Sequence, residues 1–178
     1  MTDAADLLLA LLELEPLEEN LFRGQSPDTT VQRVFGGQVI GQAPMAAQNT
    51  VGEERPCHSL HAYFLLPGDP TIPIVYHVER LRDGGSFTTR RVSAVQHGRP
   101  IFNIAASFQR REDGYEHQFD MPEVNAPEDC FSGEDRAVAL EAAGMDMDQY
   151  RRVLSASPFE FRFSDIPDYH AGESLAPH

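Results

Sequence analysis

Two glutamines, Gln38 and Gln42, sit four positions apart, and His58, Ser59 and His61 follow in the next apolar-rich run. Gly36 and Gly37 precede Gln38, at the start of a stretch of helical length. A Gly-Gly opening leaves backbone N–H groups pointing outward at the positive end of the helix dipole, where an oxyanion or a phosphate is welcome. Water attack on a carbonyl needs such a donor together with a polarising base or amide, and both residue types are present. Spacing alone also allows these side chains to be satisfied polar groups of a core or an interface.

Other chemistries fit poorly. No G-x-S-x-G occurs, so a nucleophile elbow is excluded. Cys57 and His58 are adjacent, and neighbours on a strand point to opposite faces, so they form no dyad. His58-x-x-His61 has a spacing that converges on a helix and diverges on a strand, which argues against zinc. Asp146 and Asp148 resemble the start of a calcium loop, but Arg151 and Ser157 occupy the positions that demand glycine and glutamate. All 14 basic residues are arginine, which removes lysine Schiff-base chemistry and the phosphate-loop lysine together. From Arg80 to Arg111 seven arginines face one acid, Asp83, giving +6 in a chain of net charge −14. Such a segment is either a set of solvated strand arginines or a local site for a phosphorylated small molecule.

The elements that must position these groups read as follows. Residues 3–14 form a short helix capped by Asp3, limited by Pro16. Residues 21–34 mix a strand with a turn at Ser26–Asp28. Residues 38–51 are a helix rich in small residues (Gly41, Ala43, Ala46, Ala47), as a sheet wrapped around it would require. Pro44 predicts either a later helix start or a kink. Strands follow at 58–66, 74–81, 87–96 and 101–109, and the turns at 82–85 and 97–100 give an antiparallel meander. Residues 114–127 read as a linker and 134–155 as a helix. The alternating FEFRF of 159–163 reads as a lone strand opening a second domain that is missing.

At 178 residues and 41% hydrophobic the chain can bury a core. No run approaches the roughly 20 apolar residues of a membrane span. The apolar Leu7–Leu12 cluster follows acids, not the basic region of an export signal. Two cysteines give neither a disulfide framework nor a structural zinc site, and a reducing cytoplasmic home is expected. The acidic charge disfavours nucleic acid and anionic membranes as partners.

The runs LFRGQS (21–26), VFGGQVIGQA (34–43), HSLHAYFLLPGD (58–69), ERLRDGGSFTTRRVSAVQ (79–96) and GRPIFNIAASFQ (98–109) closely resemble the acyl-CoA thioesterase II family. The resemblance covers roughly residues 8–125. It implies an α+β hotdog fold, an antiparallel sheet wrapped around a central helix, of the kind the family fuses in pairs. It implies hydrolysis of fatty acyl-CoA to free fatty acid and coenzyme A without metal or organic cofactor. The alternative is a non-catalytic half that binds acyl-CoA or pairs with a separate C-terminal hotdog. On this reading residues 1–120 are the first hotdog, 121–157 a linker with a helix, and 158–178 the start of a truncated second hotdog.

Carried over by position, Gly36, Gly37 and Gln38 are expected at the thioester oxygen and His58 and Ser59 are the catalytic candidates; Gln42 joins the candidates for the substrate and oxyanion site, and Arg82, Arg90 and Arg91 are the candidates for the coenzyme A phosphates. The family's aspartate, serine or threonine, and glutamine of the second hotdog have no counterpart here, and Pro44 replaces a usual aliphatic residue. A hotdog hydratase would need an Asp/His pair on the central helix, and residues 38–51 hold neither. A lone hotdog leaves one sheet edge open, so a homodimer or higher oligomer through the sheet is expected.

Overall fold

Small side chains make the central helix possible. In the computed structural model, which describes residues 4–27 and 32–165, helix α2 (Gly36–Gln48) buries Val39, Ala43, Ala46 and Ala47. Around it curls a six-stranded antiparallel sheet in the order β1-β2-β4-β5-β6-β3. Its strands are β1 (Glu15–Glu18), β2 (Leu21–Gly24), β3 (Cys57–Phe64), β4 (Ile74–Asp83), β5 (Phe87–Gln96) and β6 (Arg99–Gln109). Helix α1 (Ala4–Leu12) precedes them. The even-numbered residues of β5 face α2, and so do Phe102, Ile104, Ala106 and Phe108 of β6. Each fully buried Ile, Val or Phe in this set contributes roughly 1.5–3 kcal/mol relative to exposure. This is the sheet-around-helix arrangement that the small-residue helix and the regular turns imply.

Several boundaries differ from the sequence reading, each for a local reason. Helix α2 begins at Gly36, two residues earlier than 38, and runs through Pro44 to Gln48. A later start is therefore not how the proline is tolerated. Pro44 offers no N–H to the Ile40 carbonyl, which loses its partner in the helix. Pro44→Ala is expected to raise unfolding stability by roughly 1–3 kcal/mol, read from the urea midpoint. A lowered midpoint would mean that the ring's packing outweighs the lost bond.

The hairpin of β1 and β2 was not read from sequence. Its turn holds Asn20 at φ 62°, and Pro16 sits on the outermost strand, where a missing N–H is tolerated. The expected cap at Asp3 and the Asp28 end of the Ser26–Asp28 turn lie outside the described residues.

Two compact units can be separated, one over Asp6–Tyr115 and one built chiefly of residues from Glu116 onward. In the second, the single helix expected over 134–155 is two. Gly144, at φ 85°, ends α3 (Gly133–Ala142), and α4 (Asp148–Ala156) follows. Ser132 caps α3 through a capping box with Asp135. Arg151 of α4 bonds both Glu134 and Glu141 of α3. The strand expected over 159–163 narrows to β8 (Arg162–Phe163), and it is not alone. It pairs antiparallel with β7 (Phe131–Ser132). Residues 166–178 of the expected second hotdog lie outside the described residues.

Candidate functional site

The start of α2 is held by a chain of contacts reaching back to the sheet. Gln96, buried at the end of β5, donates to the carbonyls of Asp69 and Ile72 and accepts the Asp69 N–H. This fixes the loop that follows β3. The Gly68 carbonyl of that loop accepts the Val34 N–H at 3.0 Å. Phe35 is thereby set at the N-cap, in extended conformation and with no side-chain cap. Gly36 and Gly37 occupy the first helical positions, whose amides find no carbonyl within the helix. A phenylalanine at the cap cannot satisfy them as Ser or Asp would. Beside them opens a groove of about 380 Å³, with Val34, Val39, Phe64, Leu66, Ile101 and Phe102 in its walls. Arg33 is its single ionisable lining residue among the described residues.

The two glutamines do not face this groove chemistry as expected. Gln42 is fully buried, donating to the carbonyls of Leu11 (2.7 Å) and Gln25 (3.1 Å) and accepting the Tyr76 hydroxyl at 2.7 Å. Burial pushes the Tyr76 phenol well above its ordinary value, so it stays a neutral donor. Gln38 donates to the Gln25 carbonyl and the Ser26 hydroxyl. Both amides tie the β2 exit to α2, and Gln42 keeps no donor for a ligand.

His58 and Ser59 start β3, whereas Phe64 at its end touches the Gly36 position. His58 is six strand steps from Phe64, on the order of 20 Å. Within one copy the structure does not bring His58 and Ser59 to Gly36, Gly37 and Gln38. A bulge between Cys57 and Ser59 turns the His58 ring onto Ser107, with Nε2 2.9 Å from Oγ, and edge-on to Phe87. His61 lies further along and meets the Tyr63 ring at a tilt of 59°.

The three arginines expected at phosphates part company. Arg90 is 1% exposed and points inward. It bonds Thr50 Oγ1 and O, the carbonyls of Arg82 and Thr89, and Asp83 Oδ1 at 2.6 Å. With five donors on a guanidinium, none remains for a phosphate. Arg91, on the other face, grips Glu79 with two bonds of 2.8 and 2.5 Å, and that hydrogen-bonded ion pair holds the Glu79 carboxyl below its usual value. Arg82 makes no ion pair among the described residues. Adjacency on a strand was the signal that Arg90 and Arg91 could not serve one ligand. Arg55 was overlooked. It donates to the carbonyls of Gly84 and Gly85 and to Thr88 Oγ1, clamping the β4–β5 turn.

Residues 25–109, which contain the helix, the groove and all the contacts just described except the Gln42–Leu11 bond, match the model of the acyl-CoA thioesterase N-terminal domain. The chain belongs to the acyl-CoA thioesterase family through this domain. It is 44% identical over 175 residues to acyl-CoA thioesterase 2 of Haemophilus influenzae, covering 98% of this chain and 61% of that relative. The crystal structure of an acyl-CoA thioesterase II from Mycobacterium marinum superposes with TM-score 0.65 at 48% identity, over 71% of this chain and 48% of that one. A protein of unknown function with the hot dog fold from Alicyclobacillus acidocaldarius superposes at TM-score 0.60 and 23% identity, over 74% and 49% of the two chains, and shows the fold alone. The fold is the hotdog. As a thioesterase-family chain, it spans about three fifths of its Haemophilus relative's length and about half of the crystallised one's. No helix among the described residues is long and apolar enough to cross a membrane.

Proposed function

We propose that this chain hydrolyses fatty acyl-CoA to the free acid and coenzyme A, in the cytoplasm, at a site completed by pairing two hotdogs along β3. The observation that carries the reading is the open edge of the sheet. Strand β3 is last in the order, and Leu60, Tyr63 and Phe64 on it are exposed. An uncovered apolar edge of this kind is a template for association. The occupant is a second copy of this chain, paired antiparallel into one continuous sheet. Such pairing sets the start of one β3 beside the end of the other. His58 and Ser59 of one hotdog then lie near Gly36, Gly37 and Gln38 of its partner, which one copy alone cannot achieve.

In that arrangement the acyl chain occupies the apolar groove and the thioester oxygen approaches the Gly36 and Gly37 amides. His58, oriented by Ser107 through one ring nitrogen, takes a proton from water with the other. The resulting hydroxide adds to the carbonyl carbon. The amides stabilise the negative oxygen, the carbon–sulfur bond breaks, and the thiolate leaves with a proton. Arg82 is the remaining phosphate contact. Along the chain, residues 1–120 are the first hotdog, 121–157 the connection, and residues from 158 the opening of a second.

A second reading has its own observation. Among the described residues the groove's lining contains no carboxylate and no imidazole, which suits a half that binds acyl-CoA and relies on a separate hotdog for the base. Release of free thiol from decanoyl-CoA separates the two. Turnover that is lost in His58→Ala and kept in Cys57→Ala supports the first. Binding without turnover by a dimeric chain supports the second. Absence of binding contradicts both, and a monomer by light scattering at micromolar concentration contradicts the pairing.

A further inference from the structure

We infer that Arg110 and Arg111 hold the phosphates of coenzyme A in a cleft shared with His58, an inference resting on the acyl-CoA reading above. The cleft measures about 450 Å³ and lies at the start of β3, whereas the apolar groove lies at the Phe64 end of that strand. His58 lines it from β3. Gln109, Arg110, Arg111, Glu112 and Asp113 line it where the chain leaves β6.

The walls of this cleft are tied together. The Gln109 N–H donates to the Pro56 carbonyl at 3.1 Å, joining the end of β6 to the entry of β3. The Arg110 N–H donates to the Ser86 carbonyl at 3.0 Å, and the Ser86 hydroxyl donates to Glu112 at 2.8 Å. Ser86 follows Gly84 and Gly85, whose carbonyls Arg55 holds. The backbone that carries both arginines is therefore fixed, while their side chains stay exposed.

These two guanidiniums are also uncommitted. Arg90 is used up in the interior and Arg91 on Glu79. Arg110 and Arg111 make no ion pair and no side-chain hydrogen bond among the described residues. Strand alternation parts Arg90 from Arg91, but β6 ends at Gln109, so alternation no longer separates Arg110 from Arg111 and both line one cleft. Paired guanidinium forks match phosphate oxygens. Of the two acids beside them, Glu112 is turned to Ser86, and Asp113 suits the hydroxyl and amide donors that coenzyme A carries next to its phosphates.

The spacing fits a thioester at His58. Phe108 pairs with Cys57, and Arg111 stands three residues further on, up to about 10 Å of chain, with its own side chain beyond. Phosphates one pantetheine length from the thioester arrive past His58, not against it.

The test is calorimetric binding to the full chain of two non-hydrolysable thioethers, the analogues of decanoyl-CoA and of decanoyl-pantetheine, which lacks the phosphates. Thiol release from the two esters is read in parallel. Replacing both residues, Arg110→Ala with Arg111→Ala, should weaken the coenzyme A analogue about tenfold and leave the pantetheine analogue unchanged. Added salt should weaken the coenzyme A analogue in the unaltered chain and much less in this variant. Arg110→Lys with Arg111→Lys should recover part of the loss, because charge returns without the fork. Equal weakening of both analogues, or a loss seen with Arg82→Ala and not with the Arg110 and Arg111 pair, overturns the contacts. Thiol release that continues with affinity unmoved by the double variant sinks them and leaves hydrolysis standing. Selective loss of the coenzyme A analogue in a chain that releases no thiol upholds them and sinks only the hydrolytic reading. Failure of the unaltered chain to bind the coenzyme A analogue sinks both.

Discussion

Arg90→Ala is expected to lower the stability of the hotdog unit by about 3 kcal/mol, which for a domain near 100 residues is more than 10 °C in Tm. Arg90 is the largest fully buried side chain among the described residues, and its guanidinium joins three elements at once. Its bonds to Thr50 hold the chain just after α2, those to the Arg82 and Thr89 carbonyls hold β4 and β5, and Asp83 neutralises it. Alanine leaves these carbonyls without donors and opens a void between helix and hairpin. Asp83 is itself more than half exposed and rehydrates, so the loss stays at the lower end for a broken buried pair. Arg90→Lys should recover little, because an ammonium cannot span Thr50, Arg82 and Asp83 together. Thermal unfolding of the two variants checks this. Near-wild-type stability of Arg90→Ala, with weakened coenzyme A binding, would return Arg90 to the phosphate role.

Gln42→Leu is expected to cost about 3–5 kcal/mol, although leucine is similar in size and less polar. The carboxamide joins four segments, accepting from Tyr76 of β4 and donating to Leu11 in the last turn of α1 and Gln25 after β2. Removing it leaves the buried Tyr76 phenol and the part-buried Leu11 carbonyl unpaired, each worth roughly 1–3 kcal/mol, while the Gln25 carbonyl keeps its bond from Gln38. Tyr76→Phe alone should cost about 1–2 kcal/mol, and far less in the Gln42→Leu background, because the phenol then has no partner left to lose. Additive losses in denaturant melts would contradict the network. Gly24 belongs to the same cluster. A Cβ there would stand 2.5 Å from Gln42 Oε1 and 2.9 Å from the Tyr76 ring.

Much of this fold was legible in the sequence because its signals are local. The strand over 87–96 matches β5, and the 74–81 and 101–109 runs fall within β4 and β6. The turns between them carry Gly84, Gly85 and Gly98, the last at φ 68°. The small-residue helix was legible because only a wrapped helix wants Ala43, Ala46 and Ala47 on one side. The β1–β2 hairpin escaped, since Glu15–Glu18 is exposed at every position and has no alternation to read.

The site was less legible. Gln38, Gln42 and His58 are polar residues close in sequence, but the fold sends them to a buried network and to the far end of β3. Spacing cannot report that most of the length of β3 parts His58 from the end that meets Gly36, nor that Arg90 points inward.

The central claim is that the site joins the start of α2 in one hotdog to the start of β3 in another. The most direct measurement is amide chemical-shift perturbation on titrating a non-hydrolysable acyl-CoA thioether into the chain. The account predicts the largest shifts at Gly36, Gly37 and Gln38, accompanied by His58 and Ser59, saturating at one common ligand concentration. Shifts confined to residues away from α2, with Gly36 and Gly37 unmoved at saturation, would contradict it.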